Sequence, residues 1–126
     1  MEIVFEKVPL EEYLTFFETG NDSNMEYWLA IQHEFLLPPS WSTFNTYEMY
    51  CPINISLTDN HEFVIPTGFK CVSDFKHAVC MPCFETMSDI KLSKNELQNH
   101  VVIKGTAKGN RCFQNGDRLI KIKFIA

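Results

Sequence analysis

From Met49 onward the chain is a train of short apolar runs divided by turn residues, and this pattern limits the fold more than any other feature. The runs are "INISL", "EFVIP", "KCVSDF", "HAVCMP", "HVVIKG" and "RLIKIKFI". Each is short for a helix and rich in the β-branched and aromatic residues that fit a pleated, half-buried surface. Asp59-Asn60, Pro66-Thr67-Gly68 and Asn115-Gly116 punctuate them with turn chemistry. Short strands at such spacing predict a sandwich or barrel. Asn115-Gly116 supplies the positive φ values of a two-residue hairpin turn. After it, Ile120, Ile122 and Phe124 alternate with Lys121 and Lys123, which predicts a half-buried closing strand.

The first part of the chain is more mixed. "MEIVFEKV" reads as an opening strand. Pro9 suits a first helical turn, and Leu10, Tyr13, Leu14 and Phe17 follow at i, i+3, i+4 and i+7 before Gly20, so a short amphipathic helix is expected over 9–18. Glu11 and Glu12 then sit where the helix dipole favours them. Residues 25–37 are ambiguous. Ser23 and Glu26 form a capping-box pattern, yet Met25, Tyr27, Leu29, Ile31, Phe35 and Leu37 hold a period of two broken only at His33, and the balance tips to a strand. "PPSWSTFNTY" reads as a long loop with buried aromatic anchors.

With 126 residues, 45 % of them apolar and eleven of them Phe, the chain has the material for one packed domain spanning 1–126 and is not a disordered segment. A net charge of −5 without a basic run argues against a nucleic-acid groove, whose affinity rests on Lys and Arg neutralising phosphates. No apolar stretch approaches the length of a membrane span, and the N-terminus lacks signal-peptide character, so no membrane association is expected. Five cysteines, an odd number, read as reduced thiols of an intracellular protein.

The β half resembles the trimeric dUTPase family. "INISLTDNHEFVIPTG" aligns without a gap to that family's "AGYDLYSA" motif and the "TIPPG" turn after it, "HAVCMPCF" to its "VAIPEG" strand, and "VVIKGTAKGNRCFQNGDRLIKI", again without a gap, to its "VVLFN…F…GDRIAQLI" segment. The resemblance covers roughly 1–8 and 51–126. It implies a mainly β, dUTPase-like sandwich or barrel of jelly-roll type over 49–126, with 9–48 inserted as helix, strand and loop.

The departures from that family are chemical. Ser56 stands where the family places a magnesium-binding aspartate, and a hydroxyl cannot replace a carboxylate as a hard-cation ligand. Ser93 stands at the serine of its second motif, but Leu92 replaces the arginine before it. Nothing matches the third motif, which holds the water-activating aspartate and the uracil-stacking tyrosine. Gly116, Asp117 and Arg118 remain of the fourth motif, with Lys121 in place of glutamine, and the chain ends at Ala126 where the family has a Gly-rich arm. Hydrolysis of a diphosphate linkage needs neutralised charge, an oriented water and a base. The expectation is a protein without enzymatic activity or cofactor, acting through a protein partner, as a viral accessory or host-modulating factor. A nucleotide-binding module, a residual pyrophosphatase and a structural assembly protein are the alternatives. A small homo-oligomer is expected.

The candidate residues follow from this reading. Ser93, Asp117 and Arg118 are the candidates for residual nucleotide binding, although Gly116-Asp117-Arg118 is better explained as a turn. Cys80 and Cys83 form a CxxC that could hold zinc with Cys71, His77 or Cys112. No second CxxC exists, and residues three apart on a strand face opposite sides, so packed thiols are favoured. His33, His61, His77 and His100 are scattered and read as structural or surface residues. Trp28, Phe35 and Trp41 are candidates for partner contact, since aromatics dominate interface hot spots. Phe124, Ile125 and Ala126 would serve as a recognition peptide if the tail were free, but the alternation from Leu119 favours a buried strand.

Overall fold

The computed structural model describes residues 2–17, 22–90 and 92–125. In chain order it contains β1 (Phe5–Lys7), α1 (Leu10–Leu14), α2 (Ser23–Glu34), β2 (Ser40–Thr43), β3 (Thr46–Tyr50), β4 (Ile55–Leu57), β5 (Glu62–Pro66), β6 (Phe69–Cys71), β7 (His77–Pro82), a 3₁₀ turn (Glu85–Met87), α3 (Lys94–Asn99), β8 (Val102–Thr106), β9 (Arg111–Phe113) and β10 (Arg118–Ile125). All pairings are antiparallel. One sheet runs β2-β3-β10-β7, and three two-stranded ladders join β1 to β6, β4 to β9 and β5 to β8. The protein is mainly β, as the punctuated runs predict, but the strands do not close into a barrel among the described residues.

β10 is the centre of the larger sheet. It pairs with β3 on one side and β7 on the other, and Ile120, Ile122 and Phe124 are fully buried while Lys123 faces solvent. The register against β3 slips between Arg118 and Ile120, which lets Leu119 and Ile120 both enter the core. Phe124 meets Phe5, Tyr47 and Phe75 edge to face. Ile65 and Ile103 of the β5–β8 ladder, Leu97 of α3 and Phe113 of β9 belong to the same core cluster.

Several expectations are corrected. Residues 25–34 are helical rather than extended. Asp22, one residue before the anticipated Ser23 cap, accepts the backbone N–H groups of Asn24 and Met25 at 3.0 and 3.2 Å and so starts α2. The apparent period of two was not a core face: Met25 and Tyr27 are exposed, whereas Leu29, His33 and Leu36 turn inward at helical spacing. The expected loop at 38–47 is largely the β2–β3 hairpin, closed by Phe44-Asn45 with Asn45 in the left-handed region (φ 53°) that asparagine tolerates. Of its aromatic residues only Tyr47, half-buried against Phe5 and Phe124, anchors the segment, because Trp41 and Phe44 are exposed. The N-terminal helix is one turn shorter than expected at its described end, and Glu18 and Gly20, meant to finish it, lie outside the described residues.

Asn115-Gly116 is also a different device from the one anticipated. It joins β9, which pairs with β4, to β10, which pairs with β3 and β7, so it links two sheets and is no hairpin. Only Gly116 has positive φ (93°), and the Asp117 N–H closes the turn on the Gln114 carbonyl at 3.0 Å.

Candidate functional site

The three nucleotide candidates are each committed to local structure. Asp117 accepts the Gln114 N–H at 2.8 Å, which braces the turn, and its own carbonyl accepts the Cys51 N–H at 2.8 Å. Arg118 reaches Glu48 on β3 at 3.3 Å, with Lys121 on the same carboxylate at 3.8 Å. Ser93 caps α3 in a reciprocal box: its Oγ accepts the Glu96 N–H at 3.1 Å, and the Glu96 carboxylate accepts the Ser93 N–H at 3.3 Å. Nor are they brought together. Arg118 lines a groove of about 330 Å³ with Met81, Pro82, Cys83, Phe84 and Lys121. Ser93 lines another, with Ala78, Val79, Cys80, Ile90, Leu92 and Glu96. Ser56 is exposed on β4, with Cys112 Sγ 3.4 Å from its hydroxyl.

Cys80 and Cys83 lie at the β7 edge of the four-stranded sheet. Cys80 pairs with Ile122, and the Cys83 N–H donates to Leu119. Burial, with the nearby Glu96 charge, pushes the Cys80 thiol up to about 11. Burial also raises Cys83, against the opposing pull of Arg118 and Lys121. Both are therefore protonated near neutrality, which suits packing rather than nucleophilic attack. No three His, Cys, Asp or Glu side chains converge on a metal position among the described residues.

The partner candidates divide. Trp28 and Trp41 are about two-thirds exposed (64 % and 66 %) and Phe35 is 74 % exposed. Tyr27 on α2 and Phe44 at the hairpin tip, neither of them anticipated, are as exposed. Phe124 is buried and paired with Ala78 in the sheet, so it offers no accessible side chain. Ile125 is half-buried in β10, and Ala126 lies outside the described residues.

The arrangement that motif reading missed centres on His100. Its ring is buried between α3 and β8, and Nε2 accepts the Gly68 N–H at 3.0 Å. That bond places the proton of the neutral ring on Nδ1, which has no hydrogen-bond partner and stands 4.0 Å from Glu12 Oε1. Burial, helped by the charge of His33, lowers His100 to about 4. The hydroxyl of Tyr13 is likewise buried without a partner, and burial raises its pKa. The sequence carried a faint signal for His100: it opens the apolar run "HVVI", where a polar residue must find a hydrogen bond.

No protein-family model matches this chain, and no curated protein matches it. No helix among the described residues is long and apolar enough to cross a membrane.

Proposed function

We propose that this chain is a non-enzymatic, dUTPase-like protein that works by binding another protein, as an intracellular viral accessory or host-modulating factor. The observation that carries this reading is the set of exposed aromatics on 9–48: Tyr27, Trp28, Phe35, Trp41 and Phe44. Apolar side chains of this size, grouped on one segment and left in water, are characteristic of interaction surfaces. The partner that fits them offers an apolar patch with basic groups around it, complementary to Asp22 just before α2, to Glu34 at its end and to the net charge of −5. The dUTPase likeness rests on the gapless strand-and-turn spacings of the sequence. The absence of catalysis rests on Ser56 at the metal-ligand position, on Arg118 being paired with Glu48, and on Asp117 being used by its own turn.

Two measurements test this. Purified protein with dUTP and magnesium should release no pyrophosphate above background, and turnover near one per second would refute the proposal. Capture from cells of the natural source should return a protein partner that is lost when Trp28, Trp41 and Phe44 are together replaced by Ser. Because these side chains are exposed, the triple variant should keep the wild-type circular dichroism. Undiminished capture by it would move the interaction elsewhere.

A further inference from the structure

The helical segment is tied to the β body by a run of hydrogen bonds with a histidine at each end. His33 on α2 donates from Nε2 to the Val8 carbonyl at 2.6 Å. The Val8 N–H donates to the Gly68 carbonyl at 2.8 Å. The Gly68 N–H, in the turn between β5 and β6, donates to His100 Nε2 at 3.0 Å. Gly68 makes this possible by holding φ at 83°. Phe16, just after α1, covers the His100 ring edge on, with centroids 5.1 Å apart. The relay thus crosses four parts of the chain: α2, the β1–α1 junction, the β5–β6 turn and the α3–β8 junction.

Its two ends respond differently to acid. His33 donates, and an imidazolium still carries the Nε2 proton it needs. His100 accepts, and a proton on its Nε2 abolishes the bond and leaves two N–H groups facing each other. Of the charged groups around His100, Glu12 from α1 stands 4.0 Å from Nδ1 but is 44 % exposed, so solvent screens its attraction for a protonated ring. The charge of His33 on α2 opposes that proton, and Glu96 of α3 is already paired with Lys104 of β8 at 3.1 Å.

We propose that the Gly68–His100 end of this relay is an acid-released clasp: protonation of His100 breaks its bond to Gly68 and frees the β5–β6 turn from the α3–β8 junction, while the His33–Val8 and Val8–Gly68 bonds still hold α2 and the β1–α1 junction. The sign follows from linkage. His100 is held near 4 when the clasp is closed, below its ordinary value of about 6.5, so the open form takes up the proton first. Closure is at full strength above the ordinary value and is lost as pH falls towards 4. Between pH 7 and pH 5 the open-to-closed ratio should rise about twentyfold.

The test is amide exchange by NMR on the full chain, corrected for the intrinsic rate at each pH. The Gly68 amide should lose about twentyfold protection from pH 7 to pH 5, while Ile122 at the centre of the sheet stays protected. Ring nitrogen spectra at pH 7 should show His100 with its proton on Nδ1. His100→Asn offers Gly68 an acceptor that does not titrate, and should flatten the pH dependence. Should that variant not fold, His33→Gln decides: it keeps a donor for Val8 and removes the repelling charge, which favours the protonated closed form, so opening should move to lower pH. The clasp is refuted if Gly68 keeps its protection at pH 5, if it loses it in step with Ile122, if His100 carries its proton on Nε2, or if His33→Gln leaves the midpoint unmoved.

Discussion

Replacing Phe124 by Ala tests whether the closing stretch is scaffold or a recognition tail. Phe124 is 1 % exposed, pairs with Ala78 across β7, and donates its N–H to the Asn45 carbonyl at 2.8 Å. Its ring meets Phe75, Phe5 and Tyr47 at centroid distances of 5.0, 5.9 and 6.0 Å, all edge to face. Truncation removes the ring from the core and leaves a cavity between three aromatics that cannot easily collapse. For a buried Phe the expected loss is about 3–5 kcal/mol. Each lost edge-to-face pair, worth about 0.5–1.5 kcal/mol, is part of that loss and pushes it to the upper end. At roughly 3 °C per kcal/mol for a domain of this size, Tm falls by about 10–15 °C. Urea unfolding followed by far-UV circular dichroism measures it, with the exposed Lys123→Ala as a control expected within about 0.5 kcal/mol of wild type. A loss below about 1 kcal/mol from Phe124→Ala, joined to loss of a binding partner, would show a free tail and overturn the buried-strand reading.

Two further substitutions probe how local structure is held. Gly105→Ala on β8 should destabilise by about 1–3 kcal/mol in the same urea experiment, because a Cβ there would overlap the Asp89 backbone carbonyl, which cannot swing aside as a side chain can. Ser93→Ala should cost about 1 kcal/mol through loss of the α3 cap, and Ser93→Asp should recover most of it; a neutral result for the Ala variant would mean that the box contributes nothing.

What could be read from sequence, and what could not, follows from where the deciding interactions lie. β10 was legible because its alternation and its burial are the same fact: each inward side chain is apolar and Lys123 is not. β5 was legible for the same reason, with Phe63 and Ile65 buried and Glu62 and Val64 exposed. The strand-like reading of α2 fails because the six exposed residues at its start, 23–28, carry no periodic burial, so Met25, Tyr27 and Leu29 imitate a strand. The decisive local signal was Asp22, whose carboxylate satisfies the first two N–H groups offered to it. Asn115-Gly116 was misjudged for a different reason. Turn chemistry reports that the chain reverses, not which strands it brings side by side, and pairing is decided by partners far away in sequence: β4 for β9, β3 and β7 for β10.

The same distinction separates the sites. Ser93, Asp117 and Arg118 were visible because they sit in short motifs, yet each motif has a local structural use that absorbs it: a cap, a turn brace and an ion pair with Glu48. His33 and His100 are 67 residues apart (100 − 33) and belong to no motif. What couples them is the route of the main chain through Val8 and Gly68, and no spacing rule encodes it. A buried histidine that accepts a backbone N–H, as His100 does from Gly68, has less freedom than one on the surface, because its tautomer is dictated by the donor it faces.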